Sequence, residues 1–229
     1  MTIDNIILID IKNIDGKIEY IQINITIGEI KQMYIDISEE IQKNAKINKY
    51  EEDSGILKKL TIYQNNSLFD DLLNHFLKSE EFYRMLFYKE ILIIEGETEK
   101  IILKKIYKNI SSNSHFFCVN GKAFLPFFAE LFIYFNKKLK IVFDSDRKIN
   151  PKSNKYTTAV AITNYFEEKH NKISKIFEYD LENHFNIDLD YFRISNGFNN
   201  KNKFMVKQFA AEEFFKNGSN LEKFIKFIK

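Results

Sequence analysis

Isoleucine sets the rhythm at the start of the chain. On either side of Asp15-Gly16, the stretches 3–10 and 18–27 cluster isoleucine among polar residues, and an Asp-Gly pair between two such runs predicts a hairpin. Over 28–46, Ile30, Met33, Ile37 and Ile41 recur at helical spacing. The polar stretch 51–55 predicts a loop, and Leu72, Phe76, Phe82 and Leu86 mark the inner face of a helix over 68–88. From Glu90 the pattern changes to short apolar runs alternating with amphipathic stretches. Runs at 91–95, 115–119, 139–143 and 173–179 read as strands, with helices over 98–110, 123–136 and 157–169 between them. A continuous apolar run bounded by glycine or polar residues fits a strand covered on both faces. The predicted fold is therefore α/β, a parallel sheet with helices on both faces. An N-terminal α+β lead-in precedes it and a helical tail follows it. In that tail a short extended piece from Tyr191 and a loop over 197–203 lead to helices over 205–216 and from 221 onward. Two regions follow from this division, a lead-in over 1–89 and a catalytic-type domain over 90–229.

Composition narrows the setting. With 45% hydrophobic and 29% charged residues in 229, the chain has the balance of a soluble globular protein with one good-sized core. The formal net charge of +2 neither demands nor excludes a nucleic-acid partner. Cys118 stands alone, so no internal disulfide forms, and a reducing cytosol is the expected compartment. No apolar run approaches the roughly 20 residues needed to span a bilayer, and the first residues lack a signal pattern. A cytoplasmic protein without membrane contact is the expectation. The abundance of Lys, Asn and Ile resembles an AT-rich coding bias, so single lysines carry little weight.

The acidic residues carry the chemistry. Glu95 ends one predicted strand, Asp144 ends another with Asp146 two residues on, and Asp180 and Glu182 follow a third. In a parallel sheet these ends share one edge, where open α/β folds place their ligands. Glu99, a helical turn after Glu95, points the same way. Two carboxylates about 4 Å apart repel by roughly 4 kcal/mol at an effective dielectric near 20, so such a cluster calls for cations. Oxygen donors alone favour Mg²⁺ or Mn²⁺ over zinc, and His75, His115, His170 and His184 have no zinc-like spacing. A pair of such ions suits in-line displacement at a phosphodiester. Arg147, Lys148, Lys152 and Lys155 form a basic loop that either faces DNA phosphates or is simply solvated. Lys122 is either structural or a phosphate contact.

Glu95-Gly-Glu-Thr-Glu99, Asn120-Gly121-Lys122 and Asp144-Ser-Asp146 resemble the three motifs of a TOPRIM domain, the module shared by topoisomerases, primases and certain nucleases. With Leu86-Phe87 before the first motif and Asp180-Leu-Glu182 after the last, the pattern over about 82–210 is similar to the overcoming-lysogenisation-defect (OLD) nucleases, Gabija-type defence nucleases included. The resemblance implies a Rossmann-like sheet and a two-metal endonuclease. In it Glu95, Asp144 and Asp146 hold one ion, while Glu99 and Glu182, with Asp180, complete a second position. Glu95 would also act as general base or acid. A lysine steadying transition-state charge falls on Lys203 or Lys201, with Lys203 preferred. Apart from the resemblance, the candidate DNA contacts are Lys122, Arg147, Lys148 and Lys201.

The chain also departs from the family. Full OLD proteins carry an ATPase before the TOPRIM region, and this sequence has no Gly-x-x-x-x-Gly-Lys-Ser/Thr. The expected partners are thus DNA and an ATPase domain or subunit, in an oligomer, with phage defence as the implied biology. Two other readings stay open. One is a TOPRIM-shaped regulatory or DNA-binding subunit without catalysis, and the other is a primase-like nucleotidyl transferase. The acidic set is complete, which favours the nuclease.

Overall fold

The computed structural model describes residues 4–14, 17–106, 114–150, 152–198 and 202–229. Strands β1 (Asn5–Ile14) and β2 (Lys17–Thr26) pair antiparallel as the isoleucine pattern predicts, with Asp15-Gly16 outside the described residues. β2 runs directly into helix α1 (Ile27–Ile47) through a reciprocal cap. The Glu29 N–H donates to the Thr26 hydroxyl at 3.2 Å, and the Thr26 N–H donates to the Glu29 carboxylate at 2.7 Å. Ile30, Ile37 and Ile41 are buried along this helix, the face read from the sequence.

Helix α2 (Ser54–Leu60) and a 3-10 turn (Ile62–Gln64) lead to α3 (Asn66–Leu77) and α4 (Glu80–Phe87). The single helix expected over 68–88 is thus two. Ser79 makes the break: its hydroxyl donates to the Phe76 carbonyl at 2.7 Å and accepts the Phe82 N–H at 3.2 Å. A serine that closes one helix and caps the next competes with the continuous helical ladder.

The second half is the α/β unit. Strands β3 (Glu90–Ile94), β4 (Ser114–Cys118), β5 (Lys138–Asp144) and β6 (Ser174–Phe177) form a parallel sheet in the order β4-β3-β5-β6. Helix α5 (Glu97–Ile106) links β3 to β4, α6 (Leu125–Tyr134) links β4 to β5, and α7 (Thr158–Lys169) links β5 to β6. Then come α8 (Leu181–His184), α9 (Leu189–Ser195), α10 (Lys203–Phe214) and α11 (Gly218–Ile228). The extended piece expected from Tyr191 is instead helical, because Asp188 caps the Tyr191 N–H at 2.9 Å and Asp190 pairs with Arg193 at 3.0 Å.

Side chains alternate across the sheet into two cores. Ile91, Ile93, Phe117, Ile141 and Phe143 face α6, α7 and the N-terminal helices. Ile94, Phe116, Cys118 and Val142 face Ile102 and Leu103 of α5, Leu181 of α8, Ala210 and Ala211 of α10 and Phe224 of α11. Burial on both faces explains why these strands read as unbroken apolar runs. The first core is continuous from Ile6 and Ile25 of the hairpin to Phe166 of α7, so residues on both sides of Glu90 pack together. Among the described residues no helix is long and apolar enough to cross a membrane.

Candidate metal centre

Because the four strands are parallel, the residues leaving β3, β5 and β6 emerge on one edge. Glu95 follows β3 and sits beside the end of β5, where the Asp144 N–H donates to its carboxylate at 3.3 Å. Glu99 lies in the first turn of α5 and folds back so that the Gly96 N–H donates to it at 3.2 Å. Gly96 is not in the left-handed region, and a Cβ there would stand 3.4 Å from the Glu99 carboxylate, an ordinary contact. Gly121 does need its freedom, with φ +135° and its N–H donating to the Glu95 carbonyl at 2.9 Å.

The Asp144-Ser145-Asp146 turn is tied down from several directions. Asp144 accepts the Leu181 N–H at 3.0 Å, which connects β5 to α8. Ser145 donates its N–H to the Phe177 carbonyl, Asp146 donates to the Tyr179 carbonyl, both at 3.1 Å, and the Ser145 hydroxyl accepts the Tyr179 N–H at 2.9 Å. Thr163 of α7 donates from below to the Ser145 carbonyl at 2.9 Å. Asp146 itself has φ +53°, a conformation for which aspartate carries less penalty than most residues.

Burial makes these acids hard to ionise. It pushes the Glu95 carboxyl up to about 6, with Lys122 opposing the rise and Asp146 adding to it. Glu99 is pushed up to about 8 by burial and then by Glu95. Asp144 is raised well above the usual carboxylate range by burial and by Glu95, Glu99, Asp146 and Glu182. Mutual repulsion among these groups is the signature of a cluster short of positive charge. Two lysines supply part of it. Lys122 is buried and donates to the Asp146 carboxylate at 2.7 Å and to the Asp144 carbonyl. Lys207 of α10 reaches the buried Glu182 at 2.9 Å. Its ammonium is held above the usual lysine range, Glu182 and its neighbours outweighing the opposing effect of burial.

The expected site residues divide accordingly. Glu95, Glu99, Asp144, Asp146 and Glu182 interact electrostatically or through hydrogen bonds at this edge. Asp180 stands further out: it caps α8 through the Asn183 N–H at 2.8 Å and pairs with Lys148 at 3.0 Å. Burial opposes its ionisation, but these hydrogen bonds hold its carboxyl below the usual range. Lys148 is therefore engaged with Asp180, and Arg147 is engaged with Glu167. Lys122 faces the acidic turn and is closed off from solvent. Lys203 opens α10, and Lys201 lies outside the described residues. Lys207 went unselected in the sequence; its signal was helical period, one turn beyond Lys203.

Among the described residues no three His, Cys, Asp or Glu side chains already stand close enough together to grip a metal ion. One oxygen of each of Glu95, Glu99, Asp144, Asp146 and Glu182 already accepts from Lys122, Lys207 or a backbone N–H. The donor set nonetheless fits a hard divalent cation, because it is all oxygen, partly or wholly withdrawn from water and short of positive charge.

Comparison with known families gives a match over residues 86–146 to the family described as "Overcoming lysogenization defect protein-like, TOPRIM domain". That span runs from the end of α4 through β5 and includes Glu95, Glu99, Gly121, Asp144 and Asp146, stopping short of Asp180, Glu182 and Lys207. No curated protein and no solved structure matches the chain. TOPRIM domains generally bind divalent metals and belong to enzymes that act on nucleic acids. Residues 86–146, with their parallel strands and strand-end carboxylates, thus match the TOPRIM domain of the OLD-like family, a nuclease-type domain.

Proposed function

We propose that this chain is a divalent-metal-dependent DNA endonuclease, hydrolysing a phosphodiester at the edge formed by β3, β5 and β6. The observation that carries the reading is a group of mutually repelling carboxylates at one sheet edge, Glu99 and Glu182 buried and Glu95, Asp144 and Asp146 half-buried. In this reading Glu95, Asp144 and Asp146 hold one Mg²⁺ or Mn²⁺, and Glu99 and Glu182, with Asp180 at the margin, hold a second. Such ions, when bound, stabilise charge on the attacking and leaving oxygens of an in-line displacement. Without metal, burial pushes the Glu95 carboxyl up to about 6, so an ion taken up there near neutral pH would displace any proton it holds. Lys207, with Lys203 one turn before it on α10, supplies positive charge toward the transition state.

Residues 1–89 would then join this module to an ATPase domain or subunit in an oligomeric, cytoplasmic defence assembly. A second reading has one specific support. Lys122, seated against Asp146 and the Asp144 carbonyl, neutralises part of the cluster without any metal, as a DNA-binding or regulatory subunit of TOPRIM shape would allow. Nicking of supercoiled plasmid separates the two readings. Wild type should nick in Mg²⁺ or Mn²⁺ and not in EDTA, and Glu95→Ala should not nick. If wild type binds plasmid but leaves it intact in either metal, with the ATPase partner supplied, the subunit reading replaces the nuclease.

A further inference from the structure

Beside the acidic turn, a cleft of about 390 Å³ opens at the β6 edge, with Ser145, Arg147, Tyr156, Glu167, Tyr179 and His184 among its lining residues. Its lining includes Ser145, the serine between Asp144 and Asp146, so the cleft adjoins the turn that carries two of the proposed metal ligands. Tyr179 is unusual in two respects. Its backbone sits at φ +64°, uncommon for a bulky side chain, and the residue is 42% exposed although its backbone is pinned. The pins are the Tyr179 N–H on the Ser145 hydroxyl at 2.9 Å and the Tyr179 carbonyl accepting the Asp146 N–H at 3.1 Å. An aromatic ring is thereby presented to solvent at a position fixed relative to Asp146.

The charges of the cleft determine which part of a nucleotide fits. The Arg147 guanidinium is already paired with Glu167, and Glu178 adds a second carboxylate to the lining. A phosphate would meet two acids and no spare cation from Arg147. A nucleobase would meet an aromatic face, a second tyrosine (Tyr156), and polar groups able to hydrogen-bond its edge. A base within a duplex cannot reach such a recess without leaving its stack.

We propose that this cleft takes an unpaired nucleobase adjacent to the scissile phosphate, stacked on Tyr179, so that the preferred substrate is single-stranded or locally melted DNA. The inference rests on the nuclease reading and names its substrate class. Tyr179 would be a substrate-binding and positioning residue, holding the strand in register with Asp146.

The test uses a short single-stranded oligodeoxynucleotide carrying a fluorescent adenine analogue, with Ca²⁺ as an oxygen-seeking cation, alongside a matched duplex. Wild type and Tyr179→Phe should stack the analogue and quench its fluorescence. Tyr179→Leu and Tyr179→Gly should lose the quenching and bind the single strand about ten-fold more weakly, with duplex binding unchanged. The glycine variant relieves the positive φ, so its loss of binding cannot be ascribed to a strained backbone. Equal affinity and quenching in all four proteins, or cleavage of intact duplex in preference to single strand by wild type, would overturn the inference while leaving the nuclease standing. Failure of wild type to bind or cut any DNA, with Mg²⁺ or Mn²⁺ in the cleavage arm, would overturn both.

Discussion

The Lys122 ammonium lies 2.7 Å from the Asp146 carboxylate, with the lysine side chain 2% exposed and the aspartate 40%. The lysine comes from the turn after β4 and the aspartate from the turn after β5, so the pair joins two of the three motifs that mark the domain. Lys122 acts as an internal counter-ion on the Asp144–Asp146 side of the edge, as Lys207 does for Glu182. Replacing it with methionine keeps the stem and removes the charge. Lys122→Met should lower metal-free stability by about 1–3 kcal/mol, less than a fully buried pair because Asp146 is partly solvated. Added Mg²⁺ should recover more stability in the variant than in wild type. Urea unfolding with and without Mg²⁺ checks both statements, and an identical midpoint in the absence of metal would refute the counter-ion role.

Glu99 gives the metal-free protein a pH dependence of definite sign. Its carboxyl rises from an ordinary 4.5 to about 8, chiefly through burial and then through Glu95. The folded chain therefore holds a proton that the unfolded chain releases. The contribution to stability is fully present below 4.5 and is lost as pH rises toward about 8. In EDTA the melting temperature should fall across that interval, and Glu99→Gln should flatten the fall. A wild-type profile that rises over the same range would contradict the burial of this acid.

Glu182 and Lys207 offer a sharper choice between lysines. Glu182 is 5% exposed at its side chain and has Lys207 2.9 Å away. Lys207→Met should reduce cleavage at least ten-fold and leave Glu182 buried without its cation, at a further cost of about 1–2 kcal/mol in stability, discounted for the partial exposure of the lysine. Lys203→Met should reduce cleavage less. Single-turnover rates for the two variants compare them directly, and a larger loss for Lys203→Met would return the role to the earlier lysine.

Much of this architecture was legible in the sequence because burial on both sheet faces leaves an unmistakable trace. Ile91–Ile94 and the apolar run before Asp144 are continuous since both faces are covered, and the acids that follow stand out against them. Glu95, Asp144 and Asp146 are legible as candidates because they close such runs, Glu99 because it lies a helical turn on, and the capped helix after β2 because of its isoleucine period. What escaped notice depends on contacts between distant segments or on one local bond. The Ser79 break turns on a single hydroxyl, and the helix at 189–195 on an aspartate cap. Lys207 meets Glu182 only because α10 brings it back, and Tyr179 is held in place because its backbone is latched to Ser145 and Asp146. No periodicity encodes such tertiary placements.

The metal centre is the claim on which the rest depends, and Mn²⁺ uptake measures it without reference to DNA or to a partner. Free Mn²⁺ can be followed by electron paramagnetic resonance during titration of wild type and of Asp144→Asn, which keeps the size of the side chain and removes its charge. The account predicts saturable binding of about two ions by wild type and at least ten-fold weaker binding by a folded Asp144→Asn. Absence of saturable uptake by wild type, or equal uptake by the two proteins, would contradict it.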